Sequence, residues 1–121
     1  MPIVIDHLTV PVRDQDASVR FYTDVFGARK GAARGRIVGV WLSEVLELQL
    51  RATEPVEASH YAFRLERHEF DGALGRLQAL GVPYGVSRDQ LNGALLEEQG
   101  KRSVFFSDPD GHSLELIVYP S

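Results

Sequence analysis

Asp6-His7-Leu8-Thr9-Val10 near the start of the chain and Ser59-His60-Tyr61-Ala62-Phe63 near its middle read as one strand written twice. A second pair, Leu46-Glu47-Leu48 and Leu114-Glu115-Leu116, closes each half. Around these four segments the same order of elements recurs. In the first half a β-branched strand spans 3–12, followed by the polar Arg13-Asp14-Gln15-Asp16, where Asp14 or Asp16 can cap a helix. Val19, Phe21, Tyr22, Val25 and Phe26 recur at helical spacing, and Gly27 is a left-handed stop. Three short strand-like runs follow, at 29–34, 36–43 and 45–51, the last two joined by a turn short enough for a hairpin.

The pattern restarts after a Pro55-containing stretch. A strand is expected over 60–66, and a helix over 69–80 carrying Phe70, Leu74, Leu77 and Leu80, ended by Gly81. Final strands over 102–107 and 112–119 are joined by the turn Asp108-Pro109-Asp110-Gly111. The histidines lie 53 residues apart, the stop glycines 54 and the glutamates 68. A polar insertion over 87–101 accounts for the drift. Internal duplication is the simplest account: module one over 1–52, a linker over 53–59 and module two over 60–121, within one domain.

The 121 residues, 44% hydrophobic and 25% charged, suffice for one ordinary domain core. A net charge of -4 and the lack of any concentrated basic surface argue against nucleic-acid binding. The absence of cysteine excludes disulfides, thiolate metal sites and a cysteine nucleophile. No apolar run approaches membrane-spanning length and no signal segment is visible, so a cytoplasmic location is the default.

Successive side chains of a strand point to opposite faces, and this decides whether the repeated residues can meet. Leu8 and Val10 oppose His7 and Thr9; Leu46, Leu48 and Leu50 oppose Glu47 and Gln49. Tyr61, Phe63 and Leu65 oppose His60, Ala62 and Arg64; Leu114, Leu116 and Val118 oppose Glu115, Ile117 and Tyr119. The apolar faces receive the helices, which leaves His7, Glu47, His60 and Glu115 on the other side of a curved mixed sheet. Carboxylates and imidazoles buried there cost several kcal/mol unless paired or bound to a cation, on the order of 3–5 kcal/mol for an uncompensated charge. Two imidazoles and two carboxylates without sulfur suit a divalent cation such as Zn, Ni, Co, Mn or Fe. Open coordination positions admit a substrate oxygen, and a carboxylate at the edge, Glu47, can act as general base. His68, at a helix entrance, and His112, just after a turn, read as surface residues. Thr9, Trp41, Gln49, Arg64, Ser103 and Phe105 are the candidates for substrate contact, chosen by alternation.

The chain resembles the vicinal oxygen chelate superfamily, which includes glyoxalase I, bleomycin-resistance proteins, fosfomycin-resistance enzymes and extradiol dioxygenases. The resemblance rests on Asp6-His7-Leu8-Thr9-Val10, the helix with Phe21-Tyr22 and Phe26-Gly27, His60-Tyr61-Ala62-Phe63, and Phe106 to His112 running into Leu114-Glu115-Leu116. It implies an α+β fold of two βαβββ modules and a metal held by His7, His60 and Glu115, with Glu47 matching the fourth ligand of glyoxalase I. It further implies lyase or isomerase chemistry through a metal-bound oxyanion or enediolate. Pro11 and Arg51 stand where glutathione-using members carry Arg and Asn, so the glutathione hemithioacetal is not the expected substrate. The alternatives are epoxide opening of the fosfomycin-resistance type, a two-His, one-carboxylate dioxygenase and a non-catalytic drug-binding protein like those of bleomycin resistance. A small-molecule substrate and a homodimer are implied as partners.

Overall fold

The computed structural model describes residues 2–121. Its elements run β1 (His7–Val12), α1 (Gln15–Phe26), β2 (Arg29–Arg34), β3 (Ile37–Trp41), β4 (Glu47–Ala52), β5 (His60–Arg64), α2 (Arg67–Leu80), β6 (Leu96–Glu98), β7 (Lys101–Ser107) and β8 (Ser113–Val118). This is the strand, helix, three-strand order twice over. The chain divides into two compact units, Met1–Glu57 and Ala58–Ser121, each holding one copy.

In the first unit the strands are ordered β1-β4-β3-β2, with β1 parallel to β4 and the remaining pairs antiparallel. The strand expected to begin at Ile3 becomes regular only at His7. β4 begins at Glu47, so apart from the Glu47 amide bond to the Asp6 carbonyl at 3.0 Å, the preceding segment has no ladder to join. Ile3, Val4 and Ile5 are therefore exposed. Asp14, not Asp16, caps α1, its carboxylate accepting from the Ala17 amide, and Gly27 closes the helix at φ 67°. α1 lies against β2, β3 and β4. Val10, Val12, Tyr22, Val25, Val40, Leu48 and Leu50 are buried in this unit. Each large aliphatic among them contributes about 1.5–3 kcal/mol.

The second unit repeats the plan as β5-β8-β7-β6, with β5 parallel to β8. A reciprocal capping box between Glu66 and Glu69 starts α2 at Arg67, two residues before the position expected from periodicity. Phe70, Ala73 and Leu77 of α2 are buried with Phe63, Val104, Phe106, Leu114, Leu116 and Val118, whereas Leu80, at the last turn, is exposed. The polar insertion supplies the short β6 and the connections on either side of it.

One expectation is overturned at the turn before β8. His112 is fully buried, unlike the exposed His68. Its Nδ1 accepts from the Ser59 amide at 3.0 Å, so the ring hydrogen resides on Nε2, and the ring stacks edge-on with Tyr61. The Asp108 carboxylate, accepting from the Asp110 and His112 amides, shapes the turn that drives His112 inward. Leu116→Ala should cost about 2–5 kcal/mol by urea unfolding. The same change at exposed Leu91 should stay within about 0.5 kcal/mol.

Candidate functional site

The strand registers place the polar residues in rows. On the first sheet one row holds His7, Glu47 and Trp41, and the next holds Thr9, Gln49 and Gly39. On the second sheet the rows are His60, Ser113 and Ser107; then Ala62, Glu115 and Phe105; then Arg64, Ile117 and Ser103. Alternation leaves the apolar neighbours of these rows on the helix-covered faces.

The two His/Glu pairs are not equivalent in register. Glu47 is the direct cross-strand neighbour of His7, whereas His60 faces Ser113 and Glu115 stands one row further on. The counterpart of Glu115 in the first module is Gln49. Matching the two Leu-Glu-Leu triplets as sequence hides this two-residue offset, because a strand shifted by two residues keeps its faces.

The second pair nonetheless meets: His60 Nε2 lies 3.3 Å from Glu115 Oε1. Two donors bound to one ion at about 2.0–2.2 Å stand roughly 3.0–3.4 Å apart, so this spacing suits a shared cation. Glu115 is largely buried, with 14% of its side chain exposed, while His60 is half exposed and stacks on Phe105. Such a carboxylate, with one imidazole beside it, could share a cation with that ring.

In the first module Glu47 is buried, and its Oε1 accepts from Gln49 Nε2 at 3.0 Å with the Arg34 guanidinium 4.0 Å away. Its other oxygen lies over Gly39, where an added Cβ would collide with it. The Asp6-His7 dipeptide carries more than strand propensity. The Asp6 carboxylate lies 2.8 Å from His7 Nδ1. As a carboxylate only accepts, Nδ1 carries the hydrogen and Nε2 keeps its lone pair for a metal.

The other candidates are distributed differently. Thr9 and Arg64 are exposed, while Gln49, Trp41 and Phe105 are half-buried. Arg29 lies over the Trp41 ring at 5.9 Å and Arg64 over the Tyr119 ring at 4.4 Å. Ser103 is fully buried, its hydroxyl without a hydrogen-bond partner among the described residues. No three side chains of metal-ligand type gather around one point among the described residues. No helix among them is long and apolar enough to cross a membrane.

Comparison with known proteins agrees with this architecture. The family model described as Glyoxalase/Bleomycin resistance protein/Dioxygenase superfamily matches residues 4–116. The chain is 34% identical to the metallothiol transferase FosB of Lysinibacillus sphaericus, over 93% of this chain and 79% of that protein. Among solved structures it is similar to oxidase ChaP-H1, at 32% identity and a TM-score of 0.84 over 98% of both chains. It is also similar to the lactoylglutathione lyase of Agrobacterium tumefaciens, at 25% identity and a TM-score of 0.75, covering 97% of this chain and 94% of that one.

Gly39→Ala isolates the placement of the Glu47 carboxylate. The obstructed atom is the end of a flexible side chain, and loss of glycine entropy from the unfolded state returns about 0.4–1 kcal/mol. Thermal unfolding should therefore change little, while a crystal structure of the variant should show the carboxylate displaced.

Proposed function

We propose that this chain, which belongs to the Glyoxalase/Bleomycin resistance protein/Dioxygenase superfamily, is a divalent-metal-dependent enzyme of glyoxalase-like lyase or isomerase chemistry acting on a small molecule. His7, Glu47, His60 and Glu115 would hold the cation. The chemistry of these donors fits it: an Nε2 lone pair on His7 directed by Asp6, and a His60–Glu115 pair at the spacing of two ligands. When bound, the cation polarises a substrate oxygen as a Lewis acid.

The chain's own residues supply the proton transfer. Glu47 would take a proton from the hydroxyl-bearing carbon next to the carbonyl and return it to the carbonyl carbon, while the hydroxyl proton passes to the former carbonyl oxygen, so the substrate is isomerised with no net gain or loss of atoms. Gln49 hydrogen-bonds one oxygen of this carboxylate, with the Arg34 guanidinium 4.0 Å from it, and the other oxygen, over Gly39, would move the proton. The observation that carries this reading is a buried carboxylate set directly across the strand from His7. Arg64, Phe105, Trp41 and Thr9 are the proposed surroundings of the substrate; Ser103, expected among them, is fully buried and not open to it.

Glu47→Gln should reduce turnover by about 100-fold or more, the usual scale for a general base. Metal content, read by elemental analysis, should fall far less. Unchanged turnover would reject Glu47 as the base.

A second reading is thiol transfer to, or hydration of, fosfomycin. It is favoured by the FosB relative and by Gln49 occupying the register counterpart of Glu115, which leaves His7, His60 and Glu115 as a three-ligand set. Assays with fosfomycin plus a thiol and with α-keto hemithioacetals distinguish the two. Under the second reading Glu47→Gln keeps its fosfomycin turnover.

Because each module contributes only a pair, we further propose a homodimer in which modules of two chains complete each site. Mixing inactive His7→Ala and Glu115→Ala proteins under exchange conditions should then restore activity, since each mixed dimer contains one undamaged site. No recovery in verified mixed dimers would place each site within a single chain.

A further inference from the structure

Tyr119, one residue beyond β8, is approached by two cations from different strands. The Arg64 guanidinium lies 4.4 Å from the ring centroid and the Lys101 ammonium 5.8 Å from it. Neither cation has an ion-pair partner among the described residues, whereas Arg102 next to Lys101 is held by Glu97 at 2.8 Å. An aromatic ring attracts each cation, but two like charges gathered about one ring repel each other, a cost that a nearby anion offsets.

Its position ties it to the site. By alternation Arg64 shares the face of His60, Tyr119 that of Glu115, and Lys101 that of Phe105. Arg64 is one row beyond Glu115 and Tyr119 two residues beyond Ile117. At roughly 6.6 Å for each step of two residues, the cluster starts about 7 Å and ends about 13 Å from the Glu115 position. Beside Arg64 and Tyr119 opens a groove of about 600 Å³ whose lining includes Arg67, His68 and the acidic residues Glu66 and Asp71, while Lys101 lines a neighbouring one. Glu66 caps α2 and stands 3.9 Å from His68, and no ion pair joins it to Arg64 among the described residues.

We propose that Arg64, Lys101 and Tyr119 form an anion subsite, which takes the carboxylate or phosphate of a small molecule whose reacting end lies at His60 and Glu115. The connection to a reacting end rests on the metal-enzyme reading; the binding of the anion does not. The guanidinium supplies paired donors in a plane, the ammonium supplies a point charge, and the phenol ring holds both cations apart. The substrate class that follows is an oxygen-bearing molecule with an acidic group a few bonds from its reactive carbon.

The test uses the full chain after chelator treatment, so that metal chemistry plays no part. NMR titrations with sodium phosphate and, separately, sodium succinate are run at constant ionic strength maintained with sodium chloride. Saturable shifts of the Tyr119 ring and of the Arg64 and Lys101 amides are expected with at least one of them, and which anion binds identifies the acidic group. The double variant Arg64→Gln, Lys101→Gln should bind about tenfold more weakly or worse, the scale of losing charge-assisted hydrogen bonds. Arg88→Gln, at an exposed arginine paired with Asp89, should bind as the parent does. No saturable shift with either anion, or equal binding by a folded double variant, overturns the proposal. An inactive but anion-binding protein would refute the enzymatic reading alone.

Discussion

Everything in this protein depends on period-two alternation in two strands, Glu47-Leu48-Gln49-Leu50 in β4 and Leu114-Glu115-Leu116-Ile117-Val118 in β8. Each is a central strand with a parallel neighbour on one side and an antiparallel one on the other. Its leucines must be buried under a helix, and burial of that face fixes the opposite face as the place for every polar group of the strand. The carboxylates follow from this geometry. Leu48, Leu50, Leu114 and Leu116 are almost completely buried, and Glu47 and Glu115 are carried to the far face by the same pleat.

That arrangement leaves an electrostatic problem which the two modules handle differently. In module one the buried Glu47 is hydrogen-bonded by Gln49 and approached by Arg34, and Gly39 leaves the space it fills. In module two Glu115 has His60 beside it. The first carboxylate is thus partly satisfied by its own sheet, while the second has one imidazole nitrogen 3.3 Å from it.

Much of the fold was legible because its signals are local. The two helices show in their apolar spacing and glycine stops, and the β7–β8 turn in Asp108-Pro109-Asp110-Gly111. The less legible features depend on contacts distant in sequence. His112 looks like a polar residue after a turn, yet the Ser59 amide, 53 positions away, gives its ring a buried hydrogen bond. Ile3 to Ile5 look like strand, but the partner strand begins too late to pair with them. The pairing of Arg64 and Lys101 on Tyr119 joins residues from two strands and the segment after a third, and no run of sequence shows it.

The sequence by itself determined that there are two copies of one unit, which residues share a face, and hence which imidazoles and carboxylates belong to the polar side. Alternation and helical spacing act between near neighbours and need no further information. Only the tertiary structure decided the register, and with it that Glu47 lies beside His7 while Glu115 stands one row beyond His60. Shifting a strand by two residues preserves its faces and its hydrophobic burial, so alternation alone is consistent with either pairing. The choice is made by the packing of each whole sheet.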